Sequence, residues 1–499
     1  MAVVRQGFRR VTVTLASLGI AAVTFGAPPF ARAAPAGRTV PTVVLVPLDD
    51  RPVTYRLPLM LGEIAGQRVI APPHDELGNY LRPGDPQAIL PWLFSPQTAD
   101  ASAFVVSSDM IAYGGLVASR LPGLPAGIAY ARLSQLARLR TARPAAFIDL
   151  FGTIMRLAPT GVPAGGPTRD FFAAGERASL IADYANLPDP PVTPQERAQA
   201  EALRAKIGAP VLAAYLDARR RDREVDAWAL QLAGEGEFDR IVLGQDDAGP
   251  TGLHLRDIAA LERTAAAWDL GARASIEPGA DELGMLGVAA AFARNVGWRP
   301  SVAVDYSRAD GGGYEDPLEY VPVASTIARM IATAGAHVQS GPADVELFVK
   351  VPQTSDADEA AYEDRIAAAV AAGESVAVAD LSFLEGNAGP AQRELTEALI
   401  ARGIAGRIDA FASWNTDANT VGTALATALA VGAGKRAGTY DAQAHAEFLL
   451  DRYADDYAFH QFVRPQLNDD LRSRGIDTEV LFGPTILEAA DENRSLLWP

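Results

Sequence analysis

The stretch Thr42-Val43-Val44-Leu45-Val46-Pro47-Leu48-Asp49-Asp50-Arg51-Pro52 sets an aliphatic, β-branched run directly before two carboxylates and a guanidinium. Such a run, without polar alternation, reads as a strand covered on both faces, the form strands take in a parallel sheet wrapped by helices. Pro52 disfavours a helical conformation at Arg51, so the Asp49-Asp50-Arg51 turn is expected to stay extended and display its side chains. An aspartate paired with Arg51 then leaves a second carboxylate for chemistry.

The same unit recurs outward from this point. Strands are read at 42–48, 68–72, 102–107, 145–150, 240–244, 272–276, 301–305, 345–350, 375–380 and 407–412, separated by Ala/Leu/Arg segments with helical spacing. The fold class is therefore α/β, parallel sheets wrapped by helices. Ten strands exceed a minimal (β/α)8 barrel, so two Rossmann-like lobes meeting at a cleft are preferred over an elaborated barrel. The division expected is an N-terminal lobe over 34–295, a second lobe over 296–435, and C-terminal helices and tail over 436–499. A charged helical insertion is read at about 170–235, where Thr193-Pro194-Gln195-Glu196 has the form of a capping box and the segment would serve as a lid or cap.

Residues 1–33 read as an export signal: Arg5, Arg9 and Arg10 precede an apolar stretch that ends at Ala31-Arg32-Ala33. Arg9-Arg10 leaves Sec and twin-arginine export both open. The expectation is a secreted chain with no stable membrane insertion after cleavage. With no cysteine there is no disulfide, thiolate metal site or cysteine nucleophile. A formal net charge of −17, from 61 acidic and 44 basic residues, argues against a nucleic-acid partner.

Polar clusters follow nearly every strand: Asp49-Asp50-Arg51, Asp109 with Tyr113, Gln245-Asp246-Asp247, Asp281-Glu282, Asp305-Tyr306, Asp380 with Glu385, and Trp414-Asn415-Thr416. Ligands of parallel α/β folds sit at the carboxyl ends of strands, so these clusters are expected to converge. Each member has a plainer reading. An Asp or Asn there is often a helix cap, as for Asp281, Asp417 and Asn419, and Tyr113 or Trp414 can simply be core. The five histidines have no zinc spacing, and no nucleophile elbow, P-loop or dinucleotide fingerprint follows a strand.

The segments Pro47–Val53, Asp109–Arg120 and Trp414–Thr423, taken in order, resemble the bacterial family defined by domain of unknown function 4127, over about 40–430 at least. The resemblance brings no mechanism, so the catalytic assignment rests on the residues. The preferred reading is a secreted glycoside hydrolase with a carbohydrate substrate and no cofactor. Its catalytic candidates are Asp50, Asp109, Asp247 and Glu282, with Asp50 ionised beside Arg51 and Asp247 or Glu282 as the acid. Asp49, Arg51, Tyr113, Arg120, Asp246, Trp414 and Asn415 would bind the sugar. Two alternatives stand beside it: a metal-dependent phosphoester or amide hydrolase with Mg or Ca on Asp49, Asp50, Asp246 and Asp247, and a non-catalytic solute-binding protein.

Overall fold

The computed structural model describes residues 40–79, 82–159, 176–382, 393–476, 478 and 484–497. The segment 1–33 read as an export signal, Glu385 and the final Trp498-Pro499 lie outside the described residues.

Eleven strands are present among the described residues: β1 Thr42–Val46, β2 Arg68–Ile70, β3 Ala101–Ser107, β4 Phe147–Ile154, β5 Arg240–Gln245, β6 Ala274–Pro278, β7 Ser301–Tyr306, β8 His337–Val338, β9 Val345–Lys350, β10 Val376–Asp380 and β11 Ala410–Ala412. Every segment read as a strand overlaps one of them. The addition is β8, whose two exposed residues are too few to produce a pattern. All pairings are parallel, in two sheets ordered β2-β1-β3-β4-β5-β6 and β11-β10-β9-β7-β8. No closed barrel is found among the described residues.

Read from its own first strand, each sheet follows the flavodoxin-like doubly wound order 2-1-3-4-5, the first with a sixth strand added. The direction of winding reverses beside β1 in one sheet and beside β7 in the other. A crevice opens at the carboxyl ends of the strands at such a point. In the first sheet that is where Asp49 and Arg51 stand.

Alternation along the strands assigns the faces. Val43, Leu45, Ala103 and Val105 enter a core shared with Ala377, Ala379, Ala410 and Ala412 of the second sheet. Between the sheets lie the helices Pro52–Ala65, Leu283–Asn295 and Asp417–Ala437, the last of them buried along most of its length. Val44, Val46, Phe104 and Val106 face the other way, against the outer helices of the first sheet. Phe348, Val376, Val378 and Phe411 do the same for the second.

The insertion contains the helices Glu176–Ala185, Pro194–Ile207 and Ala209–Gly234. The capping box is formed as read: Thr193 Oγ1 accepts from the Glu196 N–H at 3.1 Å, and Glu196 Oε2 accepts from the Thr193 N–H at 2.8 Å. The third helix is no detached cap, because Val225, Ala229, Leu230 and Ala233 pack on the outer face of the first sheet. Two expected caps are corrected. Thr416, whose Oγ1 accepts from the Asn419 N–H, caps the Asp417–Ala437 helix in place of Asp417, and Asp281 makes an ion pair with Arg51 where a cap was expected.

Candidate active site

A cavity of about 1230 Å³ collects the strand ends of the first sheet, the Leu318-Glu319 and Trp414–Asn419 segments of the second half, and a C-terminal wall from Asp455 to Thr478. Pro52 begins a helix and Arg51 stays extended at φ −64° and ψ 146°, as the pre-proline position requires. The Asp49 carboxylate accepts from Thr54 Oγ1 at 2.6 Å and from Arg51 Nε at 2.8 Å. Across 230 residues of sequence, the Arg51 guanidinium also grips Asp281 with both terminal nitrogens, at 3.0 and 2.5 Å. Burial opposes the Arg51 charge, but the Asp281 and Asp49 carboxylates outweigh it and hold the group above its ordinary range. Two more pairs complete this side, Arg120 with Asp246 and Arg156 with Asp247 at 3.4 Å.

Asp247 has a distinct environment. Its φ of +23° is one that non-glycine residues seldom adopt, and it is held there by its neighbours. On one side the Gln245 amide donates to the Asp246 carbonyl at 2.9 Å. On the other the Ala248 N–H donates to the Leu318 carbonyl at 2.9 Å, which ties this turn to the second half of the molecule. Burial first, then the Asp246 charge, push the Asp247 carboxyl up to about 6, against the pull of Arg156 and Arg120. Asp281 is also raised by burial, with Arg51 working against it.

The family model for Protein of unknown function (DUF4127) matches residues 43–494. The chain belongs to this family. No curated protein matches it. The match runs from β1 to the last helix, past the motifs that suggested the resemblance, and so takes in the C-terminal wall of the cavity.

Of the residues singled out in the sequence, Asp49, Arg51, Arg120, Asp246, Asp247, Trp414 and Asn415 line the cavity together. Asp50, Asp109, Tyr113 and Glu282 are not among its described lining residues. The guanidinium expected to keep Asp50 ionised is committed to Asp49 and Asp281. Asp109 is buried and accepts from the Thr153 N–H at 2.9 Å, bracing β4, and burial pushes it up to about 7. Tyr113 lies in the outer helical layer, with the Arg221 guanidinium 4.7 Å from its ring centre. Glu282 is fully buried, takes the Asn419 amide at 2.5 Å, and packs against Gly279 and Gly422. It is an internal bracket and does not line the cavity, where a candidate acid was expected.

The sequence reading missed Arg156, Glu319 and the C-terminal wall, and it named Asp281 in a converging strand-end cluster but not among the site residues, with a helix cap as its plainer role. A signal for the wall exists: His460, Arg464, Asn468 and Arg472 recur every four residues, the spacing of one helix face, and all four line the cavity. Arg156 stands two residues beyond β4, a strand end that carries no carboxylate to draw attention. The four aspartates considered for Mg or Ca do not assemble a ligand set. Asp49, Asp246 and Asp247 each face an arginine, and no group of three metal-ligating side chains is found among the described residues. No helix among the described residues is long and apolar enough to cross a membrane.

Proposed function

We propose that this cavity is the active site of a glycoside hydrolase acting outside the cytoplasm, with Asp247 as the proton donor. The observation that carries the reading is the difference in arginine contact between Asp247, whose carboxylate lies 3.4 Å from Arg156, and Asp281, which Arg51 holds in a fork. Burial pushes the Asp247 carboxyl up to about 6, whereas at Asp281, on the next strand end, the two terminal nitrogens of Arg51 work against the same effect and favour the ionised form. Two carboxyl groups with divergent environments are what acid-assisted glycoside cleavage needs, one protonated for the leaving oxygen and one ionised opposite it. Asp281 takes the ionised role first considered for Asp50. Trp414 supplies an aromatic surface, and Asn415 and Asn419 supply amides suited to a hydroxyl-rich ring.

The test is hydrolysis of a glycan panel and of aryl glycosides by mature wild type, Asp247→Asn and Asp281→Asn. Loss of the acid is expected to lower turnover of substrates with sugar leaving groups by ~10²–10⁴. Nitrophenyl glycosides, whose leaving group needs no proton, should be spared. Equal loss on both substrate types would remove Asp247 from the acid role. Absence of any hydrolysis by wild type would remove the glycosidase reading itself.

A further inference from the structure

We infer that the unit bound beside Asp247 is an uncharged sugar residue, and that it donates a hydroxyl hydrogen bond to Oε1 of Gln245. This deepens the hydrolase reading and rests on it for the identity of the site. Gln245 is the last residue of β5, is only 2 % exposed, and lines the cavity. Its Nε2 donates to the main-chain carbonyls of Asp246 at 2.9 Å and Ile154 at 3.3 Å. Carbonyl oxygens only accept, so the amide orientation is fixed: the flipped form would set oxygen against oxygen. Oε1 is left as a buried acceptor with no partner among the described residues.

A buried acceptor without a donor is costly, and on a residue that lines a polar cavity a ligand hydroxyl is a donor that would satisfy it. The charges around it set the class of that ligand. Arg464 and Arg472 belong to the C-terminal wall. On the strand-end side, where Gln245 stands, Arg51, Arg120 and Arg156 are each engaged by a carboxylate, so an anionic substituent seated there would have to displace Asp49 and Asp281, Asp246 or Asp247. It would also lie among those same carboxylates, with like-charge repulsion added. A neutral hydroxyl meets neither obstacle and satisfies Gln245.

The experiment uses the mature wild-type chain, so that Arg156 keeps its Asp247 partner, with binding of thio-linked, non-hydrolysable probes followed by titration calorimetry. The probes are disaccharides of gluco, galacto, manno and N-acetylglucosamine configuration, their monodeoxy forms, and their uronate and 6-phosphate counterparts. At least one neutral probe should bind, with its charged counterparts ~10-fold or more weaker. One monodeoxy form should lose ~10–100-fold, the scale of an unpaired buried acceptor. In Gln245→Met that particular loss should vanish while the other deoxy penalties remain, because the coupling belongs to the pair of groups. A role confined to holding the Asp246-Asp247 turn would weaken all probes alike. Gln245→Asn, which withdraws the carbonyl by one methylene, serves as the second variant if Gln245→Met does not fold. The inference is overturned if no neutral probe binds, if charged counterparts bind as tightly, or if the deoxy penalty survives in the Gln245 variants. The expected binding pattern without turnover in wild type would overturn the hydrolase reading alone.

Discussion

Arg156→Gln tests the electrostatics of the site most directly, because it removes one charge at a known distance from the proposed acid. The Arg156 guanidinium lies 3.4 Å from the Asp247 carboxylate, with the two side chains 24 % and 28 % exposed. In the high-dielectric limit suited to a pair at a water-filled cavity, a unit charge at that separation is worth ~1 kcal/mol, or roughly one pH unit on the carboxyl. A lower effective dielectric enlarges the shift without changing its sign. Removing a neighbouring cation destabilises the ionised form, so the Asp247 pKa must rise from about 6. The assay is the pH dependence of kcat/KM. The descending limb, which reports loss of the acid's proton in free enzyme, should move from about 6 to roughly 7 or above. At pH 7 the variant should hold more of its acid protonated than wild type does. A limb that stays in place, or moves to lower pH, would refute the assignment of Asp247 as the acid and of Arg156 as the charge that restrains it.

Other outcomes follow from the same geometry. Arg51→Met should destabilise the fold by about 2–4 kcal/mol in denaturant unfolding, at or below the cost of breaking a fully buried pair, because it strands both Asp49 and Asp281. Glu282→Gln should leave the pH profile of turnover in place, since the residue is internal and its Asn419 contact needs only an acceptor; a lost limb would return Glu282 to the chemistry. Gly422→Ala sets a Cβ 2.3 Å from Glu282 Cγ and should cost about 1–3 kcal/mol by thermal or chemical unfolding. Stability should fall as pH rises from 6.5 to 8.5. Burial holds Asp109 and Asp456 at about 7 and Glu319 at about 8, so the native state binds protons the unfolded chain has released, and deprotonation penalises only the fold. His254, lowered to about 4 by burial, works the other way only below about 6.5. Differential scanning fluorimetry across that range, with Asp109→Asn expected to flatten the slope, checks the sign.

Local patterns were enough to find the strands. Uninterrupted Val/Ile/Leu runs between helical segments located every strand except β8, and the pre-proline constraint fixed the extended Arg51. The same patterns marked most of the strand-end wall of the cavity, because residues past a parallel strand have one edge of the sheet to occupy. They did not mark which carboxylates face the cavity. Asp49 and Asp50 are adjacent in sequence, yet Arg51 grips Asp49 and Asp281, and a choice of partner 230 residues away depends on how β1 and β6 are placed in the folded sheet. Asp281 and Glu282 divide in the same way, the first into the cavity and the second into the packing between Gly279 and Gly422.

The sequence by itself determined the α/β class, the parallel strands and the concentration of acid and amide groups at their carboxyl ends, all consequences of chain-local sterics and periodicity. Tertiary structure alone decided the 2-1-3-4-5 order of each sheet, the placing of the C-terminal wall, the arginine given to each aspartate, and the upward shift of the Asp247 carboxyl. Those depend on burial and on distances between segments far apart in the chain, and a carboxyl group's charge is set by what surrounds it in space.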